Sequence, residues 1–157
     1  MEKIAILYSQ YSPTIDALKY QLHDYEIDCY DSENNISQNY KIIFSVNYDK
    51  TCQFNHIRCH HSLLPSFDCN EPEKEAILNG VKVTGITFLQ NNKIIAQYPV
   101  FITSDMHYET LKQELDYIEQ TLYPIIAEKI LKNEPFDIKT ILGKSSCCSG
   151  GCSGCSH

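Results

Sequence analysis

Apolar residues open the chain as one short run, Lys3 to Tyr8 (KIAILY), and then recur at Ile15, Leu18 and Leu22. The run predicts a buried strand, the recurrence an amphipathic helix, and Ser-Pro between them the turn. Glu26 to Tyr30 (EIDCY) alternates weakly, Asp31 to Asn39 (DSENNISQN) is polar loop, and Lys41 to Val46 (KIIFSV) is apolar and β-branched. Of these two strands the second carries the clearer signal. His56 to His60 (HIRCH) predicts a further short strand, and Ser62 to Asn70 (SLLPSFDCN) an ordered loop. Asn70 reads as an N-cap; Pro72 two places on and Gly80 at the end bracket a short helix over Glu71 to Asn79.

Val81 to Gln90 and Lys93 to Ile102 are strand-like runs separated by Asn91 and Asn92, residues that tolerate positive φ, so they predict a β-hairpin. From Asp105 the spacing of Tyr108, Leu111, Leu115, Ile118, Leu122 and Ile125 predicts a long helix, which Pro124 is expected to kink or split before Asn133. Strands alternating with helices, then a hairpin and a long helix, indicate an α/β fold whose mostly parallel sheet has a mixed edge.

A length of 157 residues with 43% hydrophobic and 21% charged content suits one domain with a real core and excludes disorder throughout. The formal charge of −7 (13 basic against 20 acidic residues) offers no landing patch to a nucleic acid or an anionic membrane. With no long apolar run and no signal-like start, the expectation is a soluble, cytoplasmic chain, and its eight cysteines are expected to be reduced. Those cysteines divide the sequence. Cys29, Cys52, Cys59 and Cys69 are scattered through a body of residues 1–142, and Cys147, Cys148, Cys152 and Cys155 crowd into a tail of residues 143–157.

In the body the informative stretch is His60-His61-Ser62-Leu63-Leu64-Pro65-Ser66-Phe67. A histidine at the carboxyl end of a strand points into the crevice where open α/β sheets bind ligands, and imidazole can act as general acid or stabilise an oxyanion. The same position also suits a hydrogen-bonded structural histidine. His56 and His61 read as solvent-facing or hydrogen-bonded loop residues, and Cys29 and Cys52 as packed core thiols.

The order His60-x-Ser62-Leu63-Leu64-Pro65-x-Phe67, then a short helix ending in Gly80, then Val81-Lys82-Val83-Thr84-Gly85-Ile86-Thr87, resembles the folate-dependent formyltransferases, those acting on glycinamide ribonucleotide above all. The resemblance continues through Ile94-Ile95-Ala96-Gln97, Glu109-Thr110-Leu111, Glu119 and Leu122-Tyr123-Pro124, covering roughly residues 41 to 132. It implies a Rossmann-like formyltransferase fold and transfer of a formyl group from 10-formyltetrahydrofolate to an amine of a small molecule. It also implies a catalytic His at His60 and a folate site along Ser62, Leu63, Leu64, Pro65, Phe67, Val83 and Gly85. The Asn that the family uses two residues before its His falls here on Arg58, whose guanidinium is a permanent planar donor. The family Asp has no counterpart, since no carboxylate occurs between Glu75 and Asp105, and the turn Ser9-Gln10-Tyr11-Ser12-Pro13-Thr14 lacks the glycines that hold a substrate phosphate. A catalytically inactive member that serves as a binding scaffold is therefore the alternative. The shortened amino-terminal half leaves a sheet edge or face that a second copy could cover as a homodimer.

The tail GKSSCCSGGCSGCSH cannot build a core and offers thiolates. Cys147, Cys148, Cys152, Cys155 and His157 suit Zn²⁺, a softer metal or metalloid, or an iron–sulfur cluster; a redox-active dithiol or a flexible terminus uses the same residues.

Overall fold

The computed structural model describes residues 1–48 and 53–137. Cys52, the tail ligands Cys147, Cys148, Cys152, Cys155 and His157, and the tail boundary at residue 143 lie outside the described residues. Six strands form one sheet: β1 (Lys3–Tyr8), β2 (Glu26–Tyr30), β3 (Ile43–Val46), β4 (His56–His60), β5 (Val83–Gln90) and β6 (Lys93–Phe101). Their order is β2-β1-β3-β4-β5-β6. The strands β2, β1, β3 and β4 run parallel, and β5 and β6 return as an antiparallel hairpin. The sheet is thus mostly parallel with a mixed edge, as the alternation of elements predicts.

Period-two alternation sorts the sheet residues onto two faces. Ile4, Ile6, Phe44, Val46, Ile57, Ile86 and Phe88 share one core with the helices α1 (Pro13–Gln21) and α3 (Tyr108–Leu131) and with Ala76 of α2 (Pro72–Leu78). On the opposite face Ala5, Leu7 and Ile43 pack against Tyr30, Ile36, Tyr40 and Tyr48. Helices therefore pack one side, and tyrosines and loops close the other. Ser12 caps α1, its hydroxyl accepting from the Thr14 N–H at 3.2 Å, with Pro13 in the first turn.

Three local expectations need correction. The N-cap of α2 is Glu71 rather than Asn70, and no side chain caps it; Pro72, whose missing N–H needs no partner in a first turn, starts the helix instead. Helix α3 runs unbroken through Pro124, because a proline ring removes one hydrogen bond and tertiary packing of Leu122, Tyr123, Ile126 and Ala127, all at most 1% exposed, outweighs that loss. Cys29 is exposed, not packed, since β2 is an edge strand with one side open to solvent. The hairpin turn stands as predicted, with Asn91 and Asn92 at φ of 50° and 66°.

Beyond Phe44 and Ile57 the strands β3 and β4 stop pairing. The hydroxyl of the fully buried Tyr123 enters the gap, 2.9 Å from the Ser45 carbonyl and 2.8 Å from the Ile57 carbonyl, and donates between them. Its ring is held edge-on by Phe44 and Phe88. A splayed strand pair needs such a donor, because buried carbonyls without partners cost about 1–3 kcal/mol. Tyr123→Phe, which keeps the ring and deletes the donor, is expected to lower stability by about that amount in urea titration with an unchanged slope.

Candidate active site

The splay opens a cavity of about 480 Å³ at the carboxyl ends of β1, β3 and β4. Ser9 and Gln10 after β1, Asn47 and Tyr48 after β3, and His60 and His61 at the end of β4 contribute to its wall. This is the crevice where doubly wound sheets bind ligands. Strand β4 supplies both of its faces to the cavity, and the two faces carry different chemistry.

The first face holds Arg58 and His60, which pair across the ladder with Leu89 and Thr87. Ser45 follows Phe44, the last residue of β3 that pairs with β4; its hydroxyl is buried and has no partner among the described residues. Arg58 likewise has no carboxylate partner among the described residues. The His60 ring sets its Nε2 3.1 Å from the Phe67 carbonyl oxygen. A carbonyl can only accept, so Nε2 carries a proton, and Nδ1 has no partner among the described residues. Among the described residues none of Asp68, Glu71 or Asp105 hydrogen-bonds His60.

Phe67 itself is left-handed, with φ of 51°, uncommon for a bulky residue. The loop that carries it is pinned from within. Thr87 Oγ1 donates to the Ser62 carbonyl at 2.7 Å and accepts from the Leu64 N–H at 3.0 Å, and Gln97 donates to the Leu64 carbonyl at 2.9 Å. The Ser62 hydroxyl donates to the Ser66 carbonyl at 2.6 Å, and the Leu64–Pro65 peptide is cis. Gly85 is required here, since an added Cβ would lie 2.1 Å from the Tyr98 carbonyl oxygen and 2.7 Å from Leu63. Of the residues that the resemblance assigns to folate, Ser62 and Gly85 are buried, Gly85 beneath Leu63, while Pro65 is exposed and Val83 sits at the exposed start of β5; none of them lies in the cavity wall. Arg58 and His60 lie within that wall.

The second face of β4 holds Cys59 and, just past the strand, His61, which sequence reasoning left as a bystander. Of its two sequence readings the hydrogen-bonded one holds, and His61 is a half-buried hub rather than a solvent-facing residue. Its Nδ1 lies 2.6 Å from Glu73 Oε1 of α2 and its Nε2 3.3 Å from Glu119 Oε2 of α3, and the three side chains are 13%, 10% and 5% exposed. Asp116 stands 3.8 Å from the same Nδ1. Burial opposes the charged ring, but its hydrogen bonds to Cys59, Glu119 and Glu73 overcome it and hold the His61 pKa well above the ordinary range. Burial and the nearby Glu119 charge push the Cys59 thiol up to about 12. Glu73 shows the reciprocal effect: burial raises its pKa, and the bond and charge of His61 bring it below the usual carboxylate value. His56, also buried at 4%, bonds the Phe54 carbonyl and plays no part in this cluster. A signal for the hub was present in α3, where Glu119 follows Leu111 and Leu115 at four-residue steps on the buried stripe.

The Formyl transferase family model matches residues 4–126. The chain belongs to the formyl transferase family. Phosphoribosylglycinamide formyltransferase of Bacillus subtilis (strain 168) is 33% identical over 81 residues, 48% of this chain and 42% of that protein's length. The matched region thus spans about two-fifths of the curated relative. In fold the chain is similar to phosphoribosylglycinamide formyltransferase from Bacillus halodurans, with a TM-score of 0.68 at 20% identity over 83% of this chain and 95% of that one. The enzyme of the same title from Anaplasma phagocytophilum gives a TM-score of 0.70 at 16% identity over 83% and 87%. Formyl transferase architecture therefore accounts for the sheet, the hairpin and the long helix. No helix among the described residues is long and apolar enough to cross a membrane.

The His61–Glu73 pair fixes a pH window. A raised His61 pKa adds stability that is complete below the unfolded value of about 6.5 and is lost as pH rises through the folded value. A lowered Glu73 pKa adds stability that is present above its unfolded value of about 4.5 and is lost as pH falls. Glu73→Gln is expected to cost about 1.5–3 kcal/mol in chelator-treated protein. The deficit should be largest between about pH 4.5 and 6.5 and narrow on either side in urea titrations across pH.

Proposed function

We propose that the chain transfers a formyl group from 10-formyltetrahydrofolate to the amine of a small molecule, with Arg58 and His60 as the working pair. The observation that supports this most is their common placement: a guanidinium with no carboxylate partner and an imidazole with no partner on Nδ1 among the described residues line one cavity beside the loop of residues 62–67. The folate would lie along that loop and strand β5, with the formyl group toward β4.

Attack of the amine nitrogen on the formyl carbon forms a C–N bond and places the carbonyl electrons on oxygen. Arg58 meets that oxyanion as a fixed planar donor, a contribution of the kind worth about 10²- to 10³-fold. His60, its Nε2–H spent on Phe67, takes the proton of the attacking nitrogen at Nδ1 and returns it to N10 of the folate as that C–N bond breaks. The ring thereby performs the proton transfer without a partnering carboxylate, and the Phe67 carbonyl does the orienting.

The turn after β1 bears on the acceptor. It has no glycine, Pro13 removes one N–H, the Ser12 hydroxyl is spent on Thr14, and Ser9 donates to the Asn47 carbonyl. An acceptor amine without a phosphate group fits this turn better than a nucleotide. A second reading is favoured by one feature: the segment between β5 and β6, where the resemblance places an Asp, is the tight turn Asn91-Asn92, with Asn91 bonded to the His56 N–H. On that reading the fold is a binding scaffold without transfer.

Calorimetric titration with a stable formylfolate analogue, paired with a formyl-transfer assay over a panel of primary amines, separates the two. Transfer predicts binding by the native chain and a fall of about 10²- to 10⁴-fold in kcat for His60→Ala and about 10²- to 10³-fold for Arg58→Ala. Absence of folate binding at millimolar concentration would remove the transfer reading.

A further inference from the structure

We propose that Cys59, His61 and Glu119 bind a divalent cation of the zinc class, with Glu73 orienting His61 and one coordination position left open toward the cavity. The ligand atoms of these three residues all lie within 4.8 Å of one another. The 3.3 Å between His61 Nε2 and Glu119 Oε2 equals the edge, about 3.3 Å, of a tetrahedron whose metal–nitrogen and metal–oxygen bonds are about 2.0–2.1 Å. A thiolate needs a somewhat longer edge, about 3.6 Å, which lies within the 4.8 Å span of the three ligand atoms. Three protein ligands of this kind with a fourth position free is the composition of catalytic rather than structural zinc sites.

The surroundings agree with the ligand set. Glu73 Oε1 sits 2.6 Å from His61 Nδ1, the nitrogen that would face away from the metal. A carboxylate there fixes the tautomer and the ring orientation of a metal-binding histidine. The metal would take the place of the proton between Nε2 and Glu119. Charge favours a cation, since Glu73, Glu119 and Asp116 line this wall against Lys112, itself paired with Asp116 at 2.9 Å. Cys59 and His61 belong to the opposite face of β4 from Arg58 and His60, so this site does not depend on formyl transfer. A doubly bonded imidazolium that only braces α2 against α3 is the competing account.

The test uses the full chain carrying Cys147→Ser, Cys148→Ser, Cys152→Ser and Cys155→Ser, so that tail thiols do not compete, titrated anaerobically with Co²⁺. One equivalent of cobalt should bind, with a near-ultraviolet thiolate-to-cobalt band and the intense visible bands of a four-coordinate centre. Cys59→Ser should abolish the charge-transfer band. Glu73→Gln should weaken binding by about 10- to 100-fold while leaving the band in place. Failure of this tail-substituted chain, shown folded by its circular dichroism, to develop the band with millimolar Co²⁺ would overturn the proposal. Persistence of the band in Cys59→Ser would do the same.

Discussion

The alternation of side chains along β4 is the constraint on which the rest of the site depends. Five residues, His56 to His60, cross the sheet just where β3 and β4 separate, and each successive side chain passes to the other face. Arg58 and His60 fall on the side closed by loops. Ile57 and Cys59 fall on the side closed by helices, and His61 follows them into the space between α2 and α3. A shift of one residue would bury the guanidinium under Tyr123 and Phe88 and turn the thiol toward the loop. Packing of Ile57 into the helical core therefore also decides which groups can meet a ligand.

The same separation needs support from the helical side. Tyr123 bridges the two carbonyls that the ladder leaves unpaired, while Glu119, one turn earlier on the same helix, holds the His61 ring. Helix α3 thus joins the open end of the sheet to the buried carboxylate–imidazole cluster. On the other side, a thin cover of Tyr30, Tyr40 and Tyr48 replaces a helical layer. The phenols partly satisfy one another: Tyr30 and Tyr40 meet at 2.5 Å, and Tyr40 donates to Asp28 at 2.6 Å. Such a cover keeps Leu7 and Ile43 dry with few residues, and it leaves the crevice open at the ends of β1 and β3.

Much of this was legible along the chain because it rests on local chemistry. KIAILY, KIIFSV, the Asn91-Asn92 turn and the leucines of α3 each carry their own period or turn signal, and the motif around Ser62 to Phe67 carried the family. The capping of α2 was misread because Asn at residue 70 is a good cap in isolation, whereas Pro72 decides the first turn. His61 was missed for a different reason. Its partners come from positions 73 and 119, on helices that meet it only in the folded chain, and a histidine's role is set by such partners rather than by its neighbours in sequence. The absence of an Asp near His60 was visible in the sequence; the Phe67 carbonyl that orients the ring in its place was not, because a backbone acceptor leaves no mark on residue type.

The central claim is that adjacent histidines have separate duties on opposite faces of one strand. Nitrogen-15 spectra of histidine-labelled, chelator-treated protein test it directly. The account predicts His61 protonated on both nitrogens at neutral pH and His60, in its neutral form, protonated on Nε2. A stable formylfolate analogue should then move the His60 resonances and leave those of His61 in place. An analogue that shifts His61 while His60 stays fixed, or a His60 ring whose neutral form carries its proton on Nδ1, would contradict it.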